Sequence, residues 1–159
     1  MKKALSSSSL DSYDLAILRI LQKDCTVPQR LIGEQVNLSA PSVQRRIKRM
    51  ENDGVIAAQV AQIDPASVGL PLTIVVEVEL KTDTGTQIGD IKRQFLDAPE
   101  IQQCYYVTGE VDIVLIIVVG DMAEYEELTQ RLFFGNEIVV KFRTFVTMDR
   151  TKANLILNI

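Results

Sequence analysis

The chain has 159 residues, 47% of them hydrophobic, with a formal charge of −4 and no histidine. That is enough apolar material for one ordinary domain or two small ones, and the missing imidazole excludes the triads that use it as a base and removes the commonest metal ligand. Cys25 and Cys104 stand far apart with no ligand cluster around either, which reads as two buried, reduced thiols rather than a disulfide or a zinc site, and the longest apolar run, Ile113 to Val119, is far short of the ~20 residues that cross a bilayer.

Residues 1–9, with Lys2, Lys3 and four serines, lack an apolar signal core and read as a flexible tail of a cytoplasmic protein. Leu10-Asp11 with Asp14 three residues later is a capped helix start, with Leu10 and Leu15 placed as a hydrophobic staple. Leu15, Leu18 and Leu21, supported by Ile17, give that helix a core stripe running to about Lys23. Pro28 opens a second helix with Leu31, Ile32 and Val36 inward, ending at Asn37. Ser39 is the N-cap of a third, in which Pro41 is tolerated in the first turn and Val43, Ile47 and Met50 form the buried stripe. Pro41, Gln44, Arg45, Lys48 and Arg49 fan out opposite, with Ser42 and Arg46 at the edges. The helix ends near Asp53-Gly54. Three helices in this order make the smallest helix-turn-helix domain. Val55 to Ile63 then has enough β-branched and alternating residues for a strand, a wing or an exit ribbon, which bounds a winged helix-turn-helix at residues 10–63.

The negative charge is unevenly spread. Residues 1–70 carry 9 Lys and Arg against 7 Asp and Glu, and residues 71–159 carry 8 against 14. Four of the six side chains in 44–49 are basic, and an acidic remainder does not cancel such a patch beyond a Debye length of roughly 10 Å. The partner this implies is double-stranded DNA. Arg45 and Arg49 are the candidates for guanine O6 and N7 in the major groove; Lys48, Ser39 and Ser42 are placed to hold phosphates at the positive helix start. Gln44 reads adenine or is merely exposed. Arg46 either braces the domain through Glu34 or Glu51 or touches DNA.

Asp64-Pro65 and Gly69-Leu70-Pro71 punctuate a hinge over 64–71. Residues 72–159 then repeat a pattern. Leu72 to Lys81 is a strand; Thr86 to Asp97 is a helix with Ile88, Ile91 and Phe95 inward; Ile101 to Val107 and Val111 to Val119 are strands. Asp121 to Phe133 is a helix capped by Asp121, with Glu124 at its third position and Tyr125, Leu128 and Leu132 inward, and Ile138 to Thr147 is the last strand. The order βαββαβ is the ferredoxin-like plan, a four-stranded antiparallel sheet with both helices on one face, so the whole chain is α+β. In Val111 to Val119 the odd positions are apolar, and so are Val114, Ile116 and Val118, so the strand is expected to be buried on both faces. Helices cover one face only. A second copy of the chain is the simplest cover for the other, which makes a homodimer.

These residues resemble the Lrp/AsnC family of leucine- or asparagine-responsive regulators. The matching elements are Leu10-Asp11-x-x-Asp14 with Ile17-Leu18, then Leu38-Ser39, Val43-x-x-Arg46-Ile47, and Met50-Glu51-x-x-Gly54-Val55-Ile56. Ile63-Asp64-Pro65 to Gly69 and Thr108-Gly109-Glu110-x-Asp112 complete the set. Met50 stands where the family usually has Leu, and Cys25-Thr26-Val27 occupies a stretch that commonly holds a basic residue. Gly33, where the family often has alanine, weakens the second helix by roughly 1 kcal/mol.

The resemblance implies a DNA-binding domain followed by an effector and assembly domain, forming tetramers or octamers from dimers. It also implies that Thr108, Gly109, Glu110 and Asp112 line a small-molecule pocket. Glycine lets backbone N–H groups approach an amino-acid carboxylate, Glu110 or Asp112 receives the ammonium, and Tyr106 closes over the ligand side chain. Read without the resemblance, that turn is an ordinary hairpin in which Asp bonds nearby amides. Tyr105, Tyr106, Phe142 and Phe145 are sheet packing and interface, since the acidic second region argues against an RNA-stacking platform. The reading is a sequence-selective transcriptional regulator modulated by an amino acid, with no catalytic residues, metal, cofactor or membrane. The alternative is an architectural DNA-packaging protein without an effector. An enzyme carrying a sensing module finds no segment for its active site.

Overall fold

A capping box opens the first helix: Asp11 accepts the Asp14 amide at 2.9 Å and Asp14 accepts the Asp11 amide at 3.1 Å. From it α1 runs over Ser12–Leu21. The computed structural model describes residues 10–81 and 85–159, so the tail expected over 1–9 lies outside the described residues. Pro28 precedes α2 (Gln29–Val36), which Asn37 closes in the left-handed region at φ 56°. Ser39 then caps α3 (Ala40–Asn52). Ile17, Leu18, Ile32, Val36, Val43, Ile47 and Met50 form the shared core of these three helices.

Several inward assignments shift. Leu15 and Leu21 are only half-buried and Leu31 is exposed, whereas Asp14 is fully buried. The α1 stripe is therefore turned toward a carboxylate. Cys25 is exposed rather than buried, and Cys104 is half-buried, its thiol pKa pushed up by burial. The strand expected over Val55 to Ile63 does not form. Val55 and Ile56 donate their amides to the Met50 carbonyl at 2.9 and 3.1 Å and pack on the helical core. From Ala57 to Ile63 the backbone is irregular and exposed, because no strand among the described residues offers it a ladder.

After one 3-10 turn at Ala66–Val68, the remaining elements are β1 (Leu72–Leu80), α4 (Gly85–Asp97), β2 (Ile101–Tyr106), β3 (Ile113–Val119), α5 (Met122–Leu132) and β4 (Val139–Val146). The sheet is antiparallel in the order β2-β3-β1-β4, the ferredoxin-like arrangement. Ile91 and Phe95 of α4 and Tyr125, Leu128 and Leu132 of α5 pack against Ile74, Val76, Val78, Ile113, Leu115 and Ile117, so both helices cover one face. Asp121 caps α5 by accepting the Ala123 and Glu124 amides, each at 2.9 Å.

The opposite face is made by Val75, Ile116 and Phe145 in one cross-strand row and by Glu77, Val114, Arg143 and Tyr105 in the next. β3 is thus not fully buried on both sides within one chain. Its odd positions from Ile113 to Val119 are inaccessible, while Val114 and Ile116 are half-buried and Val118 is buried.

Contacts divide the molecule into two compact units, one running from Leu10 to Gln62 and joined by Ala153–Ile159, the other Ile63–Lys152. The stretch read as a hinge belongs to the second unit. The last seven residues leave the domain in which the sequence placed them and join the first unit. There Gln22 donates to the Leu157 carbonyl at 3.2 Å and accepts the Leu157 amide at 2.7 Å, and Arg19 donates to the Ile159 carbonyl at 2.5 Å.

Candidate nucleic-acid interface and effector turn

The turn into α3 is held by a close crossing. Leu38 donates its amide to the Gly33 carbonyl at 2.9 Å, and a Cβ on Gly33 would lie 2.4 Å from the Leu38 carbonyl oxygen. Propensity alone counts Gly33 as a weakness; the packing shows that a side chain there would collide with the turn. Ser39 then accepts the Ser42 amide at 3.4 Å, and its hydroxyl donates to that of Ser42 at 3.1 Å. With Val43, Ile47 and Met50 buried, Pro41, Gln44, Arg45, Lys48 and Arg49 are exposed, and Ser42 and Arg46 lie at the edges. The arrangement gathers all seven sequence-predicted contact residues on the accessible side of one helix and its cap.

The charges on that helix are not equivalent. Arg46 donates to Asp11 at 2.7 Å and to Asp14 at 2.8 Å, and Arg49 donates to Asp14 at 2.5 Å. Neither acid proposed to brace Arg46 does so: Glu34 pairs with Arg30, and Glu51 accepts from the Gln59 side-chain Nε2 at 2.8 Å. The Arg46 guanidinium also lies 5.5 Å from the Tyr13 ring centroid. The Asp14 amide and the Arg46 side chain hold the Asp11 carboxyl below the usual range, and hydrogen bonds to Asp14 and Asp11 raise Arg46 further. Arg45 and Lys48 form no ion pair among the described residues. Asp14 is the residue that sequence reasoning missed. Its role as the capping-box partner of Asp11 was legible, but the second role required knowing that α3 crosses over it.

In the second unit, Gly109 takes φ 134°, and Thr108, Gly109 and Glu110 are exposed. Asp112 is a clamp: its carboxylate accepts the Leu80 amide at 2.7 Å, its carbonyl accepts the Val107 amide at 2.8 Å, and its amide donates to the Val78 carbonyl at 3.0 Å. Tyr106 pairs with Ile113 and so sits on the helix-covered side, where the Lys92 ammonium lies 3.5 Å from its ring centroid. A cavity of about 560 Å³ elsewhere in this unit is lined by Lys81, Gln94, Arg131, Phe134, Asn136 and Glu137 among others, and by none of the predicted effector residues. Among the described residues no group of His, Cys, Asp and Glu could hold a metal ion, and no helix is long and apolar enough to cross a membrane.

Residues 10–57 match a family model described as winged helix-turn-helix DNA-binding, and residues 73–157 match one described as the Lrp/AsnC ligand binding domain. The chain belongs to the Lrp/AsnC family. This Lrp/AsnC protein is 39% identical over 144 residues to an uncharacterized HTH-type transcriptional regulator of Sinorhizobium fredii, covering 91% of this chain and 85% of that one. Its fold matches an AsnC family transcriptional regulator from Agrobacterium tumefaciens with a TM-score of 0.87 at 30% identity, covering 93% and 96% of the two chains. A transcriptional regulator of Neisseria meningitidis, solved in complex with L-methionine, also superposes with a TM-score of 0.87, at 25% identity over 94% and 96%. As an Lrp/AsnC member, the chain is a DNA-binding transcriptional regulator carrying a ligand-binding domain. In this member the ligand-domain match runs on to residue 157, although 153–159 pack with the DNA-binding unit.

Proposed function

We infer that two copies of this regulator join through the uncovered sheet face and present their α3 helices to successive major grooves, roughly 34 Å apart or a multiple, so that the target is a partial palindrome. Arg45 addresses a guanine edge, Gln44 and Arg49 flank it, and Lys48 with the Ser39 and Ser42 hydroxyls and the Pro41 turn seats the backbone phosphates. The observation that carries this reading is the separation on one helix of a buried stripe from an exposed basic face behind a capped turn.

The effector is an amino acid. Its carboxylate is received by backbone N–H groups beside Gly109, which is exposed with φ 134°, and its ammonium by Glu110, with the remaining oxygen of Asp112 two residues further along. The L-methionine held by the Neisseria protein supports this class of ligand. An effector changes DNA affinity only by favouring one assembly over another.

Selecting genomic fragments bound by the purified protein, with and without a panel of amino acids, tests both parts. A shared half-site motif whose recovery changes with one amino acid is expected. Sequence-indifferent footprints, with no thermal shift from any amino acid, would replace the reading with DNA packaging. Arg45→Ala is expected to abolish the selected footprint while the protein remains a folded dimer by light scattering; an unchanged footprint removes Arg45 from its role.

A further inference from the structure

We propose that Asp14 is a positioning residue that fixes how Arg49 meets DNA, and that Asp11 and Asp14 cancel half of the recognition helix's positive charge so that binding depends on fit rather than on attraction. This rests on the DNA-binding reading above. Of the four cations in residues 44–49, two are answered from the start of α1. The Asp14 side chain is inaccessible, and it accepts from the Asp11 amide at 3.1 Å, from Arg46 at 2.8 Å and from Arg49 at 2.5 Å. Asp11 accepts from the same Arg46 nitrogen at 2.7 Å. Two carboxylates against two guanidiniums leave the cluster without net charge, and the cations of the 44–49 stretch left without an acid among the described residues are Arg45 and Lys48.

Arg49 is nonetheless not withdrawn from the surface, since its side chain stays 42% exposed. A guanidinium has five N–H donors in a rigid fork. With one directed at Asp14, the others keep a fixed aim toward a base edge or phosphate, and less rotamer freedom is lost on binding. Because its charge is already shared with a buried carboxylate, Arg49 adds little to the release of counterions that drives non-specific binding. A purely mechanical brace between α1 and α3 would leave Arg49's contribution to salt dependence the same as that of the unpaired Lys48.

The test is fluorescence anisotropy on a duplex selected from genomic DNA and on a scrambled duplex of equal length, between about 50 and 200 mM salt. Lys48→Gln is expected to flatten the plot of log affinity against log salt by about 0.9, and Arg49→Gln by less than half as much. Arg49→Gln should nevertheless narrow the ratio of selected to scrambled affinity about tenfold. Asp14→Asn frees Arg49 and steepens the slope on the scrambled duplex, a gain that disappears when Arg49→Gln is added. Equal flattening by the two Gln variants overturns the inference. So does a folded Asp14→Asn protein with an unchanged slope, or a steepening that persists without Arg49. The Gln variants alter partly exposed side chains and decide the matter even if Asp14→Asn does not fold. Wild-type protein indifferent to both duplexes would overturn the DNA-binding reading instead.

Discussion

At Gly33 the surroundings of a single backbone position reverse what helix propensity favours. In an isolated helix, alanine there would be preferred by about 1 kcal/mol. Here its Cβ would stand 2.4 Å from the Leu38 carbonyl oxygen, so α2 and the turn must separate. Overpacking of this kind costs about 1–3 kcal/mol. Gly33→Ala is therefore expected to lower the urea midpoint of the DNA-binding unit and to weaken DNA binding as α3 is displaced; a raised midpoint would show that the turn yields. Asp11 adds a pH dependence. Its carboxyl is lowered chiefly by the Asp14 amide and then by Arg46, so its contribution is full above the ordinary aspartate range, near pH 4, and fades as pH falls through its depressed value. Urea titrations between about pH 5 and pH 3 should show that loss, and Asp11→Asn should shrink it. Raised Arg46 titrates far above this window and plays no part in it.

At the level of elements, the signals that are local in sequence were legible. Ser39 with Pro41 marks the start of α3, Asn37 marks the end of α2, and the spacing of Tyr125, Leu128 and Leu132 gives the buried side of α5. What depends on a partner was not. Val55 to Ile63 alternates well enough for a strand, yet a strand exists only where another backbone accepts its hydrogen bonds. The partners Asp14 and Arg46, 32 residues apart, lay beyond any periodicity. The even positions of β3 are apolar, as their sequence states, but Val114 and Ile116 are only half covered in one chain. That incompleteness underlies the proposed dimer. Ile116→Lys places a charge at the middle of the open face, beside Val75, whose other neighbour is Phe145. The expected result is a folded monomer by light scattering and circular dichroism, with DNA affinity reduced at least tenfold because the two reading helices are no longer linked. A dimer of undiminished stability would place the interface elsewhere.

Over the whole molecule, the two-part plan was readable from the change of hydrophobic period near residues 64–71, but the membership of the final segment was not. Leu155-Ile156-Leu157 is apolar and follows a strand, so nothing in its composition assigns it to α1. The reciprocal bonds between Gln22 and Leu157 do. Both are exposed and each contributes about 0.5–1 kcal/mol at most. Gln22→Ala is expected to lower the stability of the first unit by about 1 kcal/mol and to speed amide exchange at Leu157, leaving exchange in β1 and β3 unchanged. Unaltered exchange at Leu157 would detach the tail from this role.

The same segment sets an order of events during synthesis. Residues 153–159 follow the entire second unit in the chain, so a nascent polypeptide that has already exposed all three helices still lacks part of their packing while the ribosome translates that unit. The first unit is begun before the second and gains these contacts only after it, so a translation product truncated within Ile63–Lys152 would present the DNA-binding helices without them.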